Sequence, residues 1–189
     1  DRIVSTGAIT VEAWVRPDNL TQGPSSPARI ATLSESASRR NVTLGQKASG
    51  YEVRLRTTQT GLNGLNPSTA TGSNVAMEVL PHAVFTRDAT GTAKSYFDGA
   101  ENVSQPVGGQ LSNWDLGYAF AVANELDRER GFLGDLHLVA VYERALTNAE
   151  VNQNYQVGIV DLCANASAPT ANSQNVLTNE DQSVPVVLS

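Results

Sequence analysis

The stretch Ile9-Thr10-Val11-Glu12-Ala13-Trp14-Val15-Arg16-Pro17 decides the fold class. Apolar residues alternate with small or polar ones and the run stops at a proline, the pattern of a strand with one buried face. Working outward, Tyr51-Glu52-Val53-Arg54-Leu55-Arg56 repeats the period, with Tyr51, Val53 and Leu55 on one face. Ala83-Val84-Phe85-Thr86 and Lys94-Ser95-Tyr96-Phe97 flank Asp88-Ala89-Thr90-Gly91. That arrangement predicts a hairpin, followed by a second turn of type I′ at Asp98-Gly99. Leu136-His137-Leu138-Val139-Ala140-Val141-Tyr142 is a further strand. Many short strands separated by turn signals imply an all-β, antiparallel sandwich or barrel.

One segment departs from this period. Thr147-Asn148-Ala149-Glu150 fits a capping box, in which the Thr147 hydroxyl and the Glu150 side chain each satisfy the other's backbone N–H. It predicts a short helix from Thr147 to about Gln156, closed near Gly158. Residues 18–28 and 57–74, rich in Gly, Pro, Thr and Asn, read as loops, the second as a mobile one.

The composition excludes several classes of function. The chain has 189 residues, enough for one sizeable domain with an appendage. Its 13 Lys+Arg against 19 Asp+Glu give a formal charge of -6, and Lys47 and Lys94 are its two lysines. Such a balance opposes electrostatic binding to nucleic acid or to an anionic membrane surface. A single cysteine, Cys163, rules out an intrachain disulfide and a cysteine-based zinc site. No apolar run reaches the ~18 residues of a membrane span. The first residue is Asp1, which reads as a processed chain. No phosphate-binding glycine loop occurs, and no Ser-His-Asp order stands out. His82 and His137 fall on expected strands and read as structural histidines.

Three segments in order resemble the laminin-G-like, concanavalin A-like lectin/glucanase superfamily. The first is the Ile9–Pro17 strand around Trp14. The second is His82-Ala83-Val84-Phe85-Thr86-Arg87-Asp88 with Gly91 and then Tyr96-Phe97-Asp98-Gly99. The third is Phe132-Leu133-Gly134-Asp135-Leu136-His137-Leu138-Val139-Ala140-Val141-Tyr142-Glu143-Arg144-Ala145-Leu146, with the short helix after it. The resemblance covers roughly residues 3–158. It implies a two-sheet antiparallel jelly-roll sandwich with one short C-terminal helix, and on that frame Trp14 reads as a core residue. The expected organisation is a laminin-G-like domain over 1–160, a linker over 161–175, and over 176–189 the truncated start of a following β-repeat. The last of these resembles the opening of cadherin-like or immunoglobulin-like tandem repeats, around Asn179-Glu180-Asp181.

The chemistry concentrates in Glu125-Leu126-Asp127-Arg128-Glu129. Three carboxylates at spacing two would share one face of a strand, and glycosidases of the resembled superfamily use such a strand. There the outer groups, here Glu125 and Glu129, stand ~5–5.5 Å apart and the middle one, here Asp127, tunes them. Against catalysis stand Arg128 on the opposite face and the scarcity of aromatic residues, 6% of the chain. The plainer expectation is a solvated, charged loop. A third reading is a calcium or ligand loop, with Asn124, Glu125, Asp127 and Asp135 as oxygen ligands and Arg128 as a further contact. The pentraxin branch of the superfamily has an acidic loop in a similar place. Many laminin-G-like domains also carry Asp residues in the late strand, where this chain has His137-Leu138.

The resemblance therefore implies a non-catalytic recognition module for glycans or a surface protein, calcium-assisted, in a secreted or surface-displayed modular bacterial protein. It would neither enter a membrane nor bind nucleic acid, and a monomer is favoured. A glycoside hydrolase and a structural spacer of an adhesin are the alternatives.

Overall fold

The computed structural model describes residues 2–76 and 79–164. A one-and-a-half-turn helix α1 (Arg2–Thr6) leads into strands β1 (Ile9–Pro17), β2 (Ala28–Ser36), β3 (Arg39–Lys47), β4 (Gly50–Leu55) and a short β5 (Thr69–Ala70). Then come β6 (His82–Arg87), β7 (Thr92–Phe97), β8 (Ala100–Pro106), β9 (Ala119–Val122) and β10 (Gly134–Tyr142), and the helix α2 (Asn148–Ala164). Two five-stranded antiparallel sheets result. The first has the order β10-β1-β6-β7-β8 and the second β5-β4-β3-β2-β9. This is the expected jelly-roll sandwich. The expected start of a β-repeat, 176–189, lies outside the described residues, as does the linker from 165 onward. The loop 57–74 contains β5.

Alternation builds the core. Ile9, Val11, Ala13 and Val15 of β1 meet Ala83 and Phe85 of β6 on the inner face of the first sheet. Val42 and Leu44 of β3 and Tyr51, Val53 and Leu55 of β4 oppose them from the second. Burying each large side chain of this kind stabilises the fold by ~1.5–3 kcal/mol. The turn at Asp98-Gly99 has positive φ at both residues, 48° and 77°, as a type I′ turn requires.

Trp14 is a correction to the sequence reading. It is buried, but not between the sheets. The residues at odd positions of β1 face inward, so Glu12 and Trp14 point the other way, toward α2. The Trp14 ring stacks on His82 of the neighbouring strand, with centroids 4.6 Å apart, and on Tyr155 of α2 at 6.0 Å. Val84, Tyr96, Leu146 and Val151 form a second apolar cluster on this face, with Tyr142 against it. Thus α2 covers the outer face of the first sheet.

The capping box forms as the spacing implies. Glu150 N donates to Thr147 Oγ1 at 3.3 Å, and Thr147 N donates to Glu150 Oε2 at 2.8 Å. The helical run breaks at Gly158 (φ 64°, ψ 179°), where closure was expected, and resumes to Ala164. The Arg144 guanidinium, helped by Thr147, pulls the Glu150 carboxyl from 4.5 down to about 2. A depressed folded-state pKa stabilises above the unfolded value and loses that contribution as the acid protonates. The cap's electrostatic share is therefore expected to fade between pH 4.5 and about 2. Glu150→Gln should lower the melting temperature at pH 7 slightly and narrow its difference from wild type toward pH 2. An equal difference at both pH values would refute this role.

Candidate functional site

The outer face of the second sheet is the polar counterpart of the core. The alternation that turns Val42, Leu44, Val53 and Leu55 inward turns Arg29, Thr32 and Ser34 of β2, Thr43 of β3, and Glu52 and Arg54 of β4 outward. Arg40, at a register shift opposite Ser34, joins them. All are buried even so: Arg29 and Arg40 are 0% exposed and Arg54 5%. Loops fold over this face. Gly45 lies under Pro27 and Ala28, so closely that a Cβ there would meet Ala28 O at 2.3 Å.

The segment 123–133, between β9 and β10, brings in the remaining charge. Ala123 and Arg128 adopt positive φ, 62° and 64°, and the chain turns instead of extending. Arg29 N donates to Arg130 O at 2.8 Å and Phe132 N to Ala123 O at 2.8 Å, which fastens the loop alongside β2. Asn124 Oδ1 accepts from the N–H groups of Glu125 (2.8 Å) and Arg130 (3.1 Å). Asp127 accepts from Ala37 N at 3.1 Å and from Glu129 N at 3.1 Å.

Glu125 turns inward, 2% exposed. Arg29 Nε donates to its Oε2 at 2.9 Å, Arg40 Nη1 stands 4.0 Å from the same oxygen, and Ser34 Oγ donates to Oε1. Arg40 also donates to Thr43 Oγ1 at 3.1 Å and to the Ala37 carbonyl. Arg54 Nε and Lys47 share Glu52. Burial, and then the neighbouring Arg29 charge, pushes the Arg40 guanidinium down to about 9. Burial likewise lowers Arg29, against its hydrogen bond to Glu125, which raises it. Burial alone would raise Glu52, but hydrogen bonds from Lys47 and Arg54 outweigh it and hold the carboxyl below its usual range.

The expected site residues do not form one constellation. The segment 125–129 is no strand, and its carboxylates do not share a face. Glu125 is buried while Asp127, Arg128 and Glu129 are exposed, so the paired acid and nucleophile of a glycosidase are not assembled. The reason is local, since the left-handed turn residues break the period-two alternation on which the pairing depends. The solvated-loop expectation holds for Asp127 to Glu129 and fails for Glu125. Nor do the expected calcium ligands fit the ion. Two guanidinium groups beside Glu125 repel a cation, Asp135 pairs with Arg16 on a different strand, and among the described residues no three His, Cys, Asp or Glu converge.

A second polar cluster lies under α2. His82 Nε2 is 2.7 Å from Glu12 Oε1, Tyr142 OH donates to Glu12 Oε2 at 2.8 Å, and Asn154 Nδ2 donates to the same oxygen at 3.0 Å. Burial raises the Glu12 carboxyl, but its bonds from His82, Tyr142 and Asn154 outweigh that and lower it. The Tyr142 phenol, half-buried and beside this carboxylate, rises to about 12. A cleft of about 160 Å³ opens here between Trp14, Tyr142 and Asn154. The alternation of Glu12 and Trp14 against the apolar positions of β1 was the signal for this cluster. His137, by contrast, is exposed on β10.

Solved structures share this fold at low sequence identity. The Ruminococcus gnavus IT-sialidase CBM40 bound to alpha2,3 sialyllactose is 12% identical over 77% of this chain and 81% of its own, with a TM-score of 0.60. A structure of botulinum neurotoxin type C, whose cell entry depends on two ganglioside molecules, is 11% identical over 79% of this chain and 35% of its own, at 0.55. A Bacteroides ovatus protein is 16% identical over 79% of this chain, which spans 41% of that protein, at 0.55. No curated protein sequence matches the chain. The family profile of the concanavalin A-like lectin/glucanases superfamily matches residues 1–152, and the chain belongs to that superfamily.

Proposed function

We propose that this domain is a non-catalytic glycan-binding module that meets its ligand on the outer side of the second sheet. One observation carries the choice of face. On the opposite side α2 packs over the first sheet through Val151 and Tyr155, with Leu146 just before the helix joining them. Over the second sheet only loops cover the row of hydrogen-bonding side chains, and they leave two clefts, one on each flank of the segment 123–131. The first, about 270 Å³, lies between Gly23–Ser26 and Glu129–Gly131. The second, about 300 Å³, lies between Ser34, Asp115–Ala119 and Leu126. Polar groups converging on a concave surface are what sugar hydroxyls require.

The fold likeness to carbohydrate-binding structures supports this reading, and so does the inward position of Glu125, which leaves Glu129 without a catalytic partner. Display outside the cell, as part of a larger modular protein, belongs to the same proposal. Calcium does not enter the mechanism, because the expected ligands do not fit it. A glycan array probed with the domain, with and without calcium, is expected to give binders in both conditions. Replacing Ser26 and Leu126, which line the two clefts, with bulky Trp should abolish binding while the melting temperature stays within a few degrees. An array without binders would leave the spacer reading in place, and binding confined to calcium-containing buffer would contradict the metal-free site.

A further inference from the structure

The outer face of the second sheet carries more positive charge than its own carboxylates balance. Three arginines, Arg29, Arg40 and Arg54, are buried there, against Glu125 and Glu52. Lys47 draws on Glu52 as well. Arg130, at the cleft wall, is near enough to depress both Arg29 and Arg40. A buried guanidinium is stable only when its donors are paired and its charge compensated. Arg29 Nη2 and Arg40 Nε are shut away from solvent and have no hydrogen-bond partner among the described residues, and the same holds for Arg130 Nε. Arg29 and Arg40 therefore keep two orphaned donors beside Glu125, and Arg130 adds a third at the cleft wall.

We infer that the ligand of this face is acidic, a glycan whose carboxylate or sulfate group enters the 270 Å³ cleft and is received by Arg130 with Arg29 behind it. The inference rests on the glycan-binding reading and narrows it. Planar guanidinium groups bind carboxylate and sulfate oxygens through paired N–H donors, and an incoming anion supplies the acceptors that Glu125 alone does not. The route is short. Ser26 lines the 270 Å³ cleft and lies 3.5 Å from Arg29 Nη1, so that arginine stands one side chain behind the wall that Arg130 also forms. The Glu129 carboxylate on the same rim opposes anions that lack further contacts, which favours a ligand that brings hydroxyl groups as well.

The test is calorimetric titration of the 189-residue chain with 3′-sialyllactose, 3′-sulfolactose and lactose, in low and moderate salt, with inorganic sulfate in a parallel thermal-shift series. The acidic sugars are expected to bind at least ~10-fold more tightly than lactose, with the advantage shrinking as salt rises. Arg29→Gln should remove that advantage. Arg130→Gln, at the half-exposed rim, should reduce it while leaving the fold intact, and so serves if Arg29→Gln does not fold. Lactose binding as tightly as the acidic sugars, or both variants keeping the preference, overturns the inference and leaves the glycan-binding reading standing. Sulfate stabilising wild type but neither variant, with no sugar bound, supports the anion seat and overturns the glycan reading. No response to any probe overturns both.

Discussion

Replacing Glu125 with alanine is expected to destabilise the domain by ~3–5 kcal/mol, the cost of breaking a buried ion pair from one side. Glu125 is the carboxylate between Arg29 and Arg40, and both of its oxygens are engaged, one by Arg29 Nε and the other by Ser34. Its removal strands two guanidinium groups whose side chains are 0% exposed. It also frees the loop 123–131, since Glu125 is the inward anchor of that segment. Glu125→Gln keeps an acceptor but no charge and should lose less. Urea unfolding of the three proteins would show the order wild type, Gln, Ala. An alanine variant within ~1 kcal/mol of wild type would mean that the arginines find other partners or water, and the buried-pair account would fall.

Trp14→Ala is expected to cost ~3–5 kcal/mol as well, by a different physical route. The indole packs against both His82 and Tyr155, which also stack on each other at 6.1 Å, so the substitution leaves a void between β1, β6 and α2. The packing of α2 suffers first. Gly99 sits so close to Tyr155, where a Cβ would fall 2.9 Å from the ring, that α2 has little room to settle into the space. Faster amide exchange across Asn148–Gln156, with strands of the second sheet unaffected, is the expected signature. Exchange that rises equally in both sheets would place Trp14 in the common core instead.

Much of the fold is legible in the chain because alternation is a local property. Ile9, Val11, Ala13 and Val15 mark the inner face of β1 whatever β1 pairs with, and Thr147 with Glu150 writes its helix start within four residues. The hairpin at Asp88–Gly91 and the turn at Asp98-Gly99 are equally local. Trp14 shows where local reading stops. Its place opposite the inner face followed from the period, but which surface covers that side depended on α2, more than a hundred residues away in sequence.

The candidate site was legible only as a set of residue types. Glu125, Asp127 and Glu129 stand at spacing two, and that spacing implied a shared face only for extended chain. Positive φ at Ala123 and Arg128 turned the segment and sent Glu125 inward. Its partner Arg29 is 96 positions away, and Ser34 is 91. The arginines drew no notice in sequence, since a charged residue on an alternating strand reads as solvent-facing.

By itself, then, the sequence determined the strands, their inner faces, the capped helix and the sandwich class, because each depends on neighbours within a few residues. Only the tertiary structure decided that α2 closes the first sheet, that Glu125 is a buried counter-ion, and that guanidinium donors outnumber carboxylates on the second sheet. Charge compensation in a protein interior depends on distance and burial, and sequence spacing carries neither across ninety residues.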